Sequence, residues 1–146
     1  MARGWESKSI EEQQDASLLP AVHALLSDPD DAVRDKALRC VRVIGATESI
    51  PVLVAAASKE EDDYLKVEIG ETLLELGQLS GVPPILAVLK SGEAAEARKD
   101  AWEHLKAHLP LPPELASTDS AALERWWSEN EKRLVPDASG MFRLKP

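Results

Sequence analysis

The chain is predicted to be all-α, a solenoid of about three antiparallel helical hairpins closed by a C-terminal capping helix. Three observations predict it. The stretch from Asp30 to Leu53 recurs 32 positions later, from Asp62 to Ile85 (62 minus 30, 85 minus 53). Within each copy the apolar residues fall at helical spacing rather than in alternation. Glycines and prolines punctuate both copies at the same places, where helices stop and start. Self-similarity at a fixed period of this length marks a repeat array, in which each unit buries its apolar face against the next.

With one copy set under the other, Val33 meets Leu65, Arg34 meets Lys66 and Ala37 meets Ile69. Further along, Val41 meets Leu73, Ile44 meets Leu76, Gly45 meets Gly77, Ile50 meets Val82 and Pro51 meets Pro83. A weaker third copy of the first half carries Ala97, Arg98, Ala101, Leu105 and His108. A partial copy of the second half precedes them all, with Leu18, Ala21, Val22 and Leu25.

Residues 1–15 are polar and hold a lone Trp5; they read as a loose leader or a poorly formed capping helix, with the tryptophan folding back on the first repeat. Residues 16–109 carry the hairpins. The first helix of each begins after Ser17, Ser49 or Gly81, with Pro20, Pro51, Pro83 and Pro84 in the opening turn. A missing N–H costs little there, because the first turn has no intrahelical acceptor to give it to. The second helix starts behind Asp30 or Asp31 and Asp62 or Asp63, whose carboxylates can cap free amides. It ends at Gly45 and Gly77, suited to the left-handed residue of a C-cap. Positions 33, 37, 40, 41 and 44 and their copies are the expected inward stripe, which makes Cys40 a core residue.

The third copy decays after His108, where Pro110, Pro112 and Pro113 forbid further helix. Residues 110–118 read as a linker, and 119–146 as a cap. A helix over 119–134 carries Leu123, Trp126, Trp127 and Leu134, and an extended piece follows with Met141, Phe142 and Leu144. The last hairpin of an array has no next repeat, so its apolar face needs a cover. Adjacent tryptophans lie about 100° apart on a helix, so one is expected inside and the other at the margin.

At 146 residues with 44% hydrophobic content, the chain suits one folded domain rather than a disordered polymer. A net charge of −9 repels nucleic acid and anionic membrane at long range, although a local basic patch is compatible with it. The single cysteine excludes an intramolecular disulfide framework and suits a reducing compartment. No stretch has the apolar length of a signal sequence or a membrane span. A soluble cytoplasmic protein is expected.

The series Asp30, Val33, Arg34, Ala37, Gly45, Ile50, Pro51 and Leu53 resembles HEAT repeats, and most nearly the short bacterial repeats named after phycobilisome lyase subunits. The likeness runs over about residues 17–109. The second copy departs from it with Leu65-Lys66 and Ile69, and the third lacks the leading acids. The resemblance implies a right-handed stack of hairpins whose second helices line a concave face. It also implies a family that includes lyase subunits, scaffolds and regulatory modules with a minority of enzymes, so fold alone does not name a function.

Three rows of positions on the second helices point away from the expected core: Asp35/Val67/Lys99, Arg39/Glu71/Glu103 and Arg42/Leu74/Lys106. Trp102 borders them. Val67 and Leu74 give these rows an apolar centre within a charged rim, the composition of a protein interface. The alternative is that a neighbouring element covers one or both. Mixed charge argues against a surface that tracks phosphates.

His104 and His108 are four apart on one helix, a spacing able to bind zinc. Both align with inward positions, no third ligand has an obvious spacing, and no H-E-x-x-H motif is present. They are expected to pack and close a helix end, with no metal or other cofactor. The run Lys59–Asp63 reads as a solvated loop and helix cap. HEAT-like DNA glycosylases use aromatic and acidic residues on the concave face, but this chain is shorter and offers no convincing pair.

The function expected is a non-catalytic protein-interaction module or small scaffold with a protein partner, not nucleic acid or membrane. The main rival is a lyase-like or enzyme-associated subunit that holds a substrate protein or small molecule in the groove. Nucleic-acid binding is a remote third.

Overall fold

The computed structural model describes residues 17–146, and the expected leader with Trp5 lies outside the described residues. The helices in order are α1 (Leu19–Leu25), α2 (Asp31–Ile44), α3 (Ile50–Lys59), α4 (Asp63–Glu75), α5 (Val82–Ser91), α6 (Ala95–His108) and α7 (Ser120–Asn130). Short 3-10 turns at Thr47–Ser49 and Leu79–Gly81 lead into α3 and α5. A hairpin of β1 (Leu134–Pro136) and β2 (Phe142–Leu144) follows α7. Packing divides the chain between Val52 and Leu53 into two compact units.

In the first unit α1 packs on α2, with Leu19, Leu26, Ala37, Leu38 and Val41 buried. Asp30 starts α2 as expected: its carboxylate accepts from the Ala32 N–H at 2.9 Å. Gly45 ends it with φ 64°, in the left-handed region. Arg34 has a role that helical spacing does not reveal. Its guanidinium donates to the carbonyls of Asp28 at 2.9 Å and Pro29 at 3.1 Å, tying down the loop that enters α2. Cys40 is exposed, against the expectation that it is core. The buried stripe is centred on 37, 38 and 41, and at about 100° per residue Cys40 lies roughly 110° off it.

In the second unit α4, α5 and α6 pack in succession, α4 also touches α6, and α7 lies on α5. Asp62 caps α4, accepting from the Leu65 N–H at 3.0 Å. Gly77 follows α4 with φ 77°. The third copy lacks its own leading acid, and the second copy supplies one. The Asp63 carboxylate accepts from the N–H groups of Glu93 at 2.9 Å and Ala94 at 3.4 Å, at the entrance to α6. Arg98 donates to the Gly92 carbonyl at 2.6 Å, the same six-residue reach that Arg34 makes to Asp28. The helix stops at His108 and Leu109 is extended, where the prolines begin.

The C-terminal helix is shorter than the expected 119–134. Asp119 caps it through the Ala122 N–H at 3.0 Å, but it ends at Asn130, and Leu134 already lies in a strand. Pro136 cannot donate within a helix, and Asp137 turns the chain instead. Its carboxylate accepts from the N–H groups of Ser139 at 2.8 Å and Met141 at 3.2 Å. Those bonds, the Ser139 hydroxyl foremost, hold its carboxyl below the usual range. The strands pair antiparallel with Leu134 opposite Leu144. Leu123, Leu134 and Phe142 are buried in the same cluster as Ala101, Leu105 and Leu109. Both tryptophans are partly buried, so neither Trp126 nor Trp127 is the seal the sequence suggests. Phe142 and two leucines fill that place.

Candidate functional site

Val67 and Leu74, expected at the centre of a binding face, are core residues, 1% and 0% exposed. They belong to the cluster that holds Val82, Ile85, Val88, Ala97 and Ala101. The cause is the number of neighbours. An end helix hides one stripe, whereas α4 meets both α5 and α6, and Leu65, Val67, Ile69, Gly70, Thr72, Leu73 and Leu74 are all buried. A helix apolar on most sides is a buried helix.

The other residues of the three rows separate. On α2, Asp35 and the exposed Arg39 form an ion pair at 3.1 Å, and Arg42 is partly buried. On α6, Lys99, Glu103 and Lys106 are exposed. The Lys106 ammonium lies 3.4 Å from Glu103 and 5.6 Å from the centre of the Trp102 ring. Trp102 is partly buried, with one side against the core. Its other side lines a cleft of about 360 Å³, together with Leu89, Lys90, Arg98, Lys99 and Ser120. This acidic chain therefore carries a cationic cleft with an indole in its wall.

Two further clefts belong to the same unit. One of about 520 Å³ runs between α5 and α7, with Pro83, Leu86, Ala87 and Trp127 in its walls. Lys90 and Glu124 pair at 3.2 Å beside it, which ties α7 to α5. Another of about 520 Å³ is acidic, lined by Glu61, Asp62, Asp63, Tyr64 and Glu93. Two of its acids, Asp62 and Asp63, serve the helix starts, and the neighbouring Glu60 accepts from the Asp62 N–H at 3.1 Å. This matches the reading of that run as loop and cap.

Glu71 does not stand in a row with the exposed Glu103. It turns toward α6, where its carboxylate pairs with Nδ1 of His104 and lies 3.5 Å from Nε2 of His108. The three side chains are 13%, 22% and 12% exposed. The hydrogen bond that His104 donates to Glu71 leads in raising the His104 pKa above 6.5, helped by the charges of Glu71, Glu68 and Asp100 and opposed by burial. His108 Nδ1 lies 2.9 Å from the Gly140 carbonyl in the β-hairpin turn. Glu68, one turn before Glu71, brings a third donor to the group with Glu71 and His104. No spacing along α6 points to this third donor, because Glu68 and Glu71 lie on α4. The period held the signal, since residue 104 aligns with 72, beside Glu71 on the adjacent helix.

Among the described residues no helix is long and apolar enough to cross a membrane. Comparison with curated proteins gives no match, and neither does comparison with solved structures. The family model described as HEAT repeats matches residues 7–74. That segment contains the first full copy and most of the helix that opens the second, with Asp30, Val33, Arg34, Ala37, Gly45, Ile50, Pro51 and Leu53, on which the resemblance rests. That segment, a little under half of the chain, is therefore similar to HEAT repeats.

Proposed function

We propose that the chain is a non-catalytic protein-interaction module, and that the outward face of α6 takes an acidic segment of a protein partner. The observation that carries this is Trp102, held in the wall of a cationic cleft with Lys106 above its ring. Interface energy concentrates at such aromatic and cationic positions, where a ring held by the core loses little freedom on binding. Lys99 and Lys106 form the rim, with Glu103 setting the register of the partner's charges. Asp35, Arg39 and Arg42 on α2 are proposed separately, as partner contacts of the first unit, and Glu71 is not, because it is committed to α6.

The finer likeness to phycobilisome-lyase-type repeats, and a place in the cytoplasm, are part of this reading. The first rests on the motif of α2 and the second on the lone cysteine. Affinity capture from the native host with wild-type protein and Trp102→Ala tests it. One protein retained by the wild type and lost by the variant supports the proposal. A co-purified small molecule in its place would favour the lyase-like alternative, and salt-sensitive nucleic acid would favour the third.

A further inference from the structure

We propose that Glu68, Glu71, His104 and His108 form a binding site for one divalent transition-metal ion of the zinc class, which staples α4 to α6. One donor atom each from Glu68, Glu71 and His104 lie within 4.8 Å of one another, all on partly buried side chains. Two packed helices hold them, so the group does not depend on a mobile loop.

The orientation of His108 is the second observation. A carbonyl oxygen only accepts, so the bond from Nδ1 to Gly140 places the ring hydrogen on Nδ1. The Nε2 of His108 then faces a carboxylate oxygen of Glu71 3.5 Å away, a place where either a proton or a metal ion can sit between nitrogen and oxygen. Zinc bonds of about 2.0–2.2 Å at tetrahedral angles put neighbouring donors roughly 3.4 Å apart, which is close to this spacing. A ring N–H held by a backbone carbonyl is also how metal-ligating histidines are oriented.

Charge and donor type choose the ion. Two carboxylates and two neutral imidazoles balance a divalent cation, and mixed nitrogen and oxygen donors favour zinc, cobalt or nickel over calcium and magnesium. Glu68 and Glu71 keep other polar partners. An ionised carboxylate has two oxygens and about four acceptor positions, so such partners and a metal bond coexist. To admit the ion, His104 and Glu71 must part from their direct contact, and His108, outside the group of three, must turn its Nε2 in from beside Glu71.

The test uses the full chain stripped with EDTA and titrated with zinc chloride. Calorimetry is expected to show one saturable site, and cobalt(II) chloride to give the visible absorption of a four-coordinate nitrogen and oxygen site. The chain has three histidines, which lets nitrogen-15 spectra follow each ring. Zinc should shift Nδ1 of His104 and Nε2 of His108 and leave His23 unmoved. Glu71→Gln should abolish saturable binding, and Glu103→Gln should leave it intact. No saturable binding by the wild type, or shifts confined to His23, would overturn the proposal without reliance on any variant. Undiminished binding by a folded Glu71→Gln protein would overturn it as well.

Discussion

Gly70 and Gly81 meet backbone to backbone. A Cβ on Gly70 would lie 2.6 Å from the Gly81 carbonyl oxygen, and one on Gly81 would lie 2.2 Å from the Gly70 carbonyl oxygen. Both residues are buried, Gly70 inside α4 and Gly81 at the turn into α5. The backbone itself sets the spacing there, and Ile85 closes on the same point, 2.5 Å from where a Gly70 Cβ would sit.

Gly70→Ala is therefore expected to destabilise the fold although alanine favours helix. Overpacking a closed interior costs about 1–3 kcal/mol, against the roughly 1 kcal/mol that alanine gains over glycine in a helix. A carbonyl oxygen cannot yield as a flexible side chain does, which puts the net effect on the destabilising side. Urea titration read by circular dichroism checks this. A midpoint equal to or above that of the wild type would show that α4 and α5 can separate cheaply.

Val67→Asp combined with Leu74→Asp should prevent folding or lower the melting temperature severely. Each change puts a carboxylate where the side chain is essentially inaccessible. Burial of an unpaired charge belongs to the few mechanisms that exceed about 4–5 kcal/mol. Lys99→Ala and Glu103→Ala, on the exposed side of α6, should stay within about 0.5 kcal/mol of the wild type. Thermal melts of the three variants separate the two classes. A double aspartate protein that melts like the wild type would return these residues to the surface.

What the sequence disclosed and what it hid divide along a physical line. Asp30, Asp62, Gly45 and Gly77 were legible because caps are local: one side chain or one φ angle meets the backbone beside it. The hairpin order was legible from the period. Burial around α4 was not, because it depends on how many helices surround one helix, which is what hides Val67 and Leu74; Cys40 on α2 differs for another reason, its angle off the buried stripe. The group formed by Glu71, His104 and His108 was hidden because its members sit on different helices. The β-hairpin was half legible: its extended piece was foreseen, but the pairing of Leu134 with Leu144 required the chain to leave the helix earlier than the apolar spacing suggested.

The pairing of Glu71 with His104 predicts a pH dependence in the metal-free protein. The folded-state pKa of His104 is raised above 6.5, chiefly by the hydrogen bond it donates to Glu71. A group with a raised folded pKa stabilises the fold fully below its unfolded value, and that contribution is lost as pH rises through the folded value. With EDTA present, the melting temperature should therefore fall as pH is raised from about 6.5 through the elevated His104 pKa. His104→Gln should flatten that part of the profile. A wild-type profile that rises across the same window would show that burial outweighs the carboxylate.

The C-terminal segment predicts an order of losses. A repeat array leaves its final hairpin with an open apolar face, and α6 is the last second helix here. Phe142 is 2% exposed within the cluster that contains Leu105, Leu109, Leu123 and Leu134, so the hairpin strand covers that face directly. Phe142→Ala removes a ring from a closed site and should cost about 3–5 kcal/mol. Trp127 lines the open cleft between α5 and α7 and is only partly buried, so Trp127→Ala leaves a space that water can enter and should cost less. Removal of residues 119–146 exposes Leu105 and Leu109 together and should destabilise or aggregate the remaining repeats. Denaturant titrations of the two point variants, with sedimentation of the truncated chain, decide the matter. A truncated protein as soluble and heat-stable as the whole chain would mean that the segment is no cap, and Phe142 would then be holding the hairpin to the repeats rather than the repeats together.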